Sequence, residues 1–130
     1  MQAMDEELVS SKAQGDGMKM TVAQRLLLSH LRELSTEYKL NSCFCVEYQF
    51  YLERLFRFDI ADVTLRIGYE CDGGQFRGGH MRGLALERQY EKDRLAQMLG
   101  WRVMRFTNRQ VLTGAAKEWM RGWLGREGGR

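Results

Sequence analysis

Residues 57–74 read RFDIADVTLRIGYECDGG, two short apolar runs that each carry acidic residues. Asp59 lies in the first run, and Glu70 and Asp72 close the second. In an extended strand the side chains at i and i+2 point to the same face, so Glu70 and Asp72 are expected to project together. Carboxylates that converge at a strand end repel one another unless a cation lies between them. Mg²⁺ is the natural candidate, because it takes hard oxygen ligands and usually one or two protein carboxylates.

The composition is that of a single globular domain without an obvious charge signature. The chain has 130 residues, of which 44% are hydrophobic and 28% are charged, and its net charge is +3. The three cysteines do not form a disulfide framework, because their number is odd and Cys43 and Cys45 are only two residues apart. No apolar run approaches the roughly 20 residues of a membrane span, and no signal-peptide pattern is present. We therefore expect a cytoplasmic protein with no membrane partner.

Apolar periodicity and turn residues predict an α/β class, with a small mixed central sheet flanked by helices. The last strand follows a helix, so we expect it to run parallel to an earlier strand. We expect flexible tails over 1–20 and 125–130 around a single domain over 21–124. The expected helices cover 21–36, 84–99 and 110–124, and the expected strands cover 43–50, 55–62, 64–72 and 101–106.

Polar side chains follow the acidic strand on a glycine-rich loop, where they could reach the carboxylates. On the next predicted helix, Arg88 and Lys92 are four residues apart and share one face. A metal site beside a basic helix suits phosphodiester hydrolysis, in which a Lys or Arg stabilises the transition-state charge. The loop residues are Gln75, Arg77, His80 and Arg82.

Each of these features also has a structural explanation. Asp59 can cap a turn, Asp72 followed by two glycines can form a hairpin exit, and His80 can lie exposed in its loop. The functional interpretation depends on the order of the features along the chain. That order is an acid, a short spacer, paired acids, a glycine loop and a basic helix.

Three segments in that order carry a resemblance to a known family. They read FRFDIADVTLRIGYECDGGQF, GGHMRG and LERQYEKDRLAQMLGWRVMRFTNRQV, within about residues 46–111. Together they resemble the very-short-patch-repair-type branch of the PD-(D/E)XK nuclease superfamily and its small phage and bacterial relatives. The resemblance implies a restriction-endonuclease-like fold and Mg²⁺-dependent cleavage of DNA phosphodiesters, with Mn²⁺ as a possible substitute.

The resemblance also implies roles for individual residues. Asp59 matches the first metal-binding aspartate, and Glu70 and Asp72 occupy the E-x-K positions, so an aspartate stands where the superfamily has its lysine. Lys92 is the first candidate to replace that cation, and His80 is the second. The implied metal ligands are Asp59, Glu70 and either Asp72 or the backbone carbonyl of Cys71.

Two departures from the family pattern bear on activity. Relatives often carry acids where this chain has Gln24 and Gln89, which implies slower cutting, one metal ion, or DNA binding without cutting.

The predicted function is a metal-dependent DNA endonuclease that selects junctions, flaps or mismatches, and junction cleavage would call for a homodimer. The DNA-binding candidates are Gln75, Arg77, Arg82 and Arg88. The alternatives are an inactive nuclease-derived DNA-binding protein and an unrelated α/β protein-interaction module.

Overall fold

The computed structural model describes residues 20–73 and 83–128, the last two without their side chains. Within these ranges the chain forms four helices and four strands. In chain order they are α1 (Val22–Glu37), β1 (Phe44–Tyr51), β2 (Phe56–Asp62), β3 (Ile67–Asp72), α2 (Leu84–Met98), β4 (Arg102–Thr107), α3 (Asn108–Leu112) and α4 (Ala115–Gly128).

The four strands form one mixed sheet in the order β1-β2-β3-β4. The pairs β1/β2 and β2/β3 are antiparallel, as hairpin connections require, and β3/β4 is parallel. The predicted α/β class, with a mixed central sheet flanked by helices, is therefore confirmed. In the parallel pair Glu70 lies level with Arg105, and Asp72 with Thr107. Among the described residues, no helix is both long enough and apolar enough to cross a membrane.

Helix α1 begins where the sequence predicts it. The Thr21 side chain accepts a hydrogen bond from the Gln24 amide, and the Gln24 side chain accepts one from the Thr21 amide. This capping box satisfies two of the free N–H groups at the helix start. The buried positions recur at helical spacing and lie against the sheet; they are Ala23, Leu27, Leu31 and Leu34.

The sheet separates two hydrophobic cores. The first core packs under α1, α3 and α4 and includes Leu27, Leu34, Ile60, Tyr69, Cys71, Phe106 and Val111. The second packs under α2 and includes Phe58, Ala61, Ala96 and Trp101. Trp101 and Phe106 are 6% and 8% exposed, as expected for core residues.

Halfway along β1 and β2 the alternation of side chains between the two cores is interrupted. Val46 packs toward the first core and Tyr48 toward the second, although i and i+2 normally share a face. In β2, Phe58 likewise packs in the second core and Ile60 in the first. Glu47, between the two β1 residues, has a φ of 50°, which is uncommon for a residue with a side chain. The interruption occurs at the level of Asp59, so an irregularity of the backbone coincides with a predicted site residue.

Three expected boundaries are wrong. The strand predicted over 64–72 starts only at Ile67, because residues 63–66 form a turn in which Arg66 has a φ of 58°. The helix predicted over 110–124 is two helices, separated at Gly114, whose φ of 86° breaks the helix. Helix α4 also continues to Gly128, so residues 125–128 are helical rather than a tail. The predicted tail over 1–20 lies, apart from Met20, outside the described residues.

Candidate functional site

Strands β2 and β3 separate at Asp59 and Glu70, and we call this point the fork. Their paired register runs from Asp62↔Ile67 to Ile60↔Tyr69. One residue beyond the last pair, carboxylate oxygens accept the hydrogen bonds that backbone carbonyls accept elsewhere in the sheet. The Asp59 amide donates to Glu70 Oε2 at 2.7 Å, and the Cys71 amide donates to Asp59 Oδ2 at 2.8 Å. The two acids therefore satisfy the backbone donors that the separating strands leave unpaired.

Helix α2 places the Lys92 ammonium on Glu70. Lys92 Nζ donates a hydrogen bond to Glu70 Oε1, and the two side chains are 17% and 9% exposed. The same Nζ lies 5.8 Å from the ring centre of Phe58, which forms the floor beneath it. The predicted pairing of a basic helix with the acidic strand is thus present in the structure, through Lys92. A charge-assisted contact this well buried holds both groups in position.

A second cation, which the sequence reasoning did not assign to the acids, comes from β4. Arg105 Nη2 and Nε contact the two carboxylate oxygens of Asp93 at 2.7 and 3.3 Å. Its Nη1 lies 3.2 Å from Asp72 Oδ1 and 4.0 Å from Glu70 Oε1. Because Arg105 touches both strand acids, Glu70 and Asp72 do share a face, as the strand period predicts. The parallel register of β3 and β4 could have identified Arg105, but that register is not readable from one sequence.

The electrostatics of the fork favour an additional positive charge. Burial and then the neighbouring Asp59 raise the pKa of Glu70 to about 7, although Lys92 opposes the shift. Burial also raises the pKa of Asp72, with Arg105 opposing. Four carboxylates face two cations, which leaves a formal charge of −2 when all are ionised; the groups are Asp59, Glu70, Asp72 and Asp93 with Lys92 and Arg105.

Two carboxylates and one carbonyl at the fork are the candidate ligands of a divalent ion. Among residues 20–73 and 83–128, no three His, Cys, Asp or Glu side chains are arranged as a metal-binding group. Asp59 and Glu70 nevertheless meet at the fork, and two carboxylates are sufficient for Mg²⁺, which keeps several waters. The N–H and C=O of one strand residue point to the same side, so the Cys71 carbonyl faces the fork with its amide. Asp72 is held by Arg105 instead.

The remaining predicted residues are placed less centrally or lie outside the described ranges. Arg88 lies over the Phe56 ring, 5.7 Å from its centre, on the same helix face as Lys92 but one turn away. Gln24 caps α1 and does not contact the fork. Gln89 is half-buried on α2. Four candidates fall outside the described residues: Gln75, Arg77, His80 and Arg82.

Comparison of the chain with protein-family models, curated proteins and solved structures gave no match in any of the three sets.

Proposed function

We propose that this protein is a metal-dependent DNA endonuclease that hydrolyses phosphodiester bonds. One observation carries the proposal: Lys92, distant in sequence, lies on Glu70 at the fork where Asp59 also meets it. Asp72 stands where the resembling family has its lysine, and Lys92 supplies a cation to the neighbouring acid, Glu70. Paired carboxylates with an adjacent ammonium are the groups that a hydrolytic phosphodiester site requires.

The roles follow from the contacts. Asp59, Glu70 and the Cys71 carbonyl would hold Mg²⁺ or Mn²⁺. Such an ion supplies positive charge that polarises a phosphoryl oxygen and makes a nearby water more acidic. Lys92 carries three N–H donors, and within the described residues Glu70 is the only hydrogen-bond partner of its Nζ. The other donors are therefore free to stabilise charge on a phosphate.

Glu70 and Arg105 have supporting roles in the proposed reaction. Without a metal ion the pKa of Glu70 is about 7, so a bound divalent ion would favour its ionised form near neutral pH. The planar guanidinium of Arg105 holds Asp72 and Asp93 in position and lowers the repulsion between their carboxylates. His80 remains the second candidate for the transition-state cation.

The proposed substrate is DNA with a junction, flap or mismatch, since so small a domain has little room for a separate sequence-reading module. The proposed contacts with the phosphate backbone come from Arg88, which lies over Phe56, and from Gln75, Arg77 and Arg82. Binding should weaken steeply with salt, because phosphate contacts release counterions. The three cysteines are buried and none forms a disulfide, which suits a reducing compartment and a cytoplasmic location.

A second candidate function is DNA binding without cutting. Two observations favour it: Arg105 forms an ion pair with Asp72, and Gln24 serves as a helix cap rather than as part of the site. This candidate predicts the same salt-sensitive DNA binding but no cleavage. A protein-interaction module, in which the acids serve only the backbone at the fork, predicts neither.

The deciding experiment incubates purified protein with plasmid, a mismatched duplex and a four-way junction. Each substrate is tested at low salt with Mg²⁺, with Mn²⁺ and with a chelator. Cleavage should require the metal and should be lost in Asp59→Asn and strongly reduced in Lys92→Ala. Glu53→Gln, which alters an exposed acid in the β1–β2 turn, is the matched control and should cut normally. No cleavage of any substrate, or an active Asp59→Asn protein, would contradict the catalytic proposal.

A further inference from the structure

Strand β4 forms one outer edge of the sheet. Among the described residues it pairs with β3 alone. The Arg102 amide donates to the Arg66 carbonyl at 2.9 Å, so the backbone groups of Arg102, and by alternation those of Met104 and Phe106, face β3. The N–H and C=O groups of Val103 and Arg105 consequently face outward. An open edge of this kind is a template for pairing with another strand.

An exposed aromatic residue lies beside this edge. Trp119 of α4 is 54% exposed and packs edge-on against Phe106, with their ring centres 6.1 Å apart. Together with β4 residues it lines a groove of about 530 Å³. Tryptophan is enriched at the centres of protein interfaces. The edge therefore offers backbone hydrogen bonds and an apolar surface at the same place.

We propose that β4 pairs with β4 of a second copy of this chain, antiparallel about a two-fold axis. Strand residues on one face must meet residues on the same face of the partner, which leaves three central registers. An axis at Arg105 would place two arginines directly opposite each other, which is unfavourable. An axis at Val103 would overlap only half of each strand.

An axis at Met104 avoids both problems. It pairs Val103 with Arg105 of the second copy, and these are the residues whose backbone groups face outward. It also places Arg102 opposite Phe106, a favourable cation–aromatic pair, and overlaps five of the six strand residues. Arg105 keeps its contacts with Asp72 and Asp93, because only its backbone takes part in the pairing. The edge strand is thus self-complementary in one register, which favours a second copy over a different partner.

The dimer places the two candidate sites on one face of a continuous eight-stranded sheet. Glu70 lies one strand in from β4, so the two Glu70 residues would lie roughly 16 Å apart, from strand spacing and rise. This spacing would let two sites act on neighbouring backbones of one DNA molecule. That consequence rests on the proposed function, whereas the dimer itself does not.

Cysteine cross-linking tests the register. In the proposed pair the two Met104 Cα atoms lie about 4.5 Å apart, within disulfide reach, so Met104→Cys should form a covalent dimer on mild oxidation. Arg102→Cys is the matched control on the same face of the same strand. Its two copies would lie roughly 14 Å apart and should cross-link at least tenfold more slowly. Equal rates for the two variants would overturn the register.

Sedimentation of the unmodified protein tests the dimer without a change in β4. The wild type should sediment as a dimer at micromolar concentration, and Trp119→Ala should raise the dimer dissociation constant at least tenfold. A wild-type protein that sediments as a monomer at micromolar concentration would overturn the proposal. Asp59→Asn should remain dimeric, so the loss of cleavage and the loss of association can be distinguished.

Discussion

Replacing Glu70 with Gln should change how the stability of the protein depends on pH. The pKa of Glu70 is raised from 4.5 to about 7 in the folded protein, chiefly by burial. Between these pH values the folded state holds the proton more tightly than the unfolded chain does. The stability that this group contributes is therefore present below pH 4.5 and is lost as the pH rises through 7. A shift of this size corresponds to about 3 kcal/mol.

Urea unfolding at pH 4.5, 6 and 8, without divalent ions, measures this effect. The free energy of unfolding of the wild type should fall by about 3 kcal/mol relative to Glu70→Gln across that range. Glu91→Gln is the matched control, because Glu91 on α2 also pairs with a cation, Arg54, but does so at the surface. Across the same pH range, the free energy of unfolding of Glu91→Gln relative to the wild type should change by less than about 0.5 kcal/mol. The reasoning would be refuted if the difference in free energy of unfolding between the wild type and Glu70→Gln stayed constant with pH. It would also be refuted if the wild type became more stable relative to Glu70→Gln as the pH rises.

Changes at four further positions have defined outcomes. Gly68→Ala should lower the free energy of unfolding by about 2 kcal/mol, because its Cβ would lie 2.5 Å from the ring of Phe58. Gly122→Ala, which meets open space in α4, should raise it by up to about 1 kcal/mol in the same urea titration. If the nuclease proposal holds, Lys92→Ala should slow single-turnover cleavage by about 10²–10³-fold and Lys92→Arg by less. Thr21→Ala should cost about 1 kcal/mol of thermal or urea stability through the lost cap of α1, and an unchanged value would mean that the capping box is not formed in solution.

Local patterns predicted the parts of this fold that depend on neighbours in sequence. The period of two placed Glu70 and Asp72 on one face, and the helical period placed both ends of α1 within one residue of their observed positions. The expected helix over 84–99 also agrees within one residue with α2, which ends just before Gly100, where φ is 88°. These features follow from backbone geometry over a few residues, so a single sequence contains enough information to identify them.

The exact register between distant segments was not predicted, although the parallel direction of β4 was. Arg105 reaches the acids because β4 lies parallel to β3 in one particular register, which apolar pattern alone does not specify. The interrupted alternation at Glu47 and Asp59 was not predicted either. Both cores are apolar, so the sequence does not show which face of β2 each side chain occupies. The break at Gly114 was missed because a glycine inside a helical pattern is tolerated as often as it ends the helix.

Helix α2 is attached to the rest of the protein differently from α1 and α4. Of its 15 residues only Ala96 is fully buried, while Leu84 and Met98 are each 83% exposed. Little apolar surface holds this helix, so it should open at a lower free energy than the sheet, and its amides should exchange hydrogen faster than those of β2 and β3. Lys92 belongs to this helix, whereas the two carboxylates at the fork belong to strands. We therefore expect the cation and the acids to belong to separate cooperative units, so that an opening of α2 alone would remove the lysine while the carboxylates stay in place.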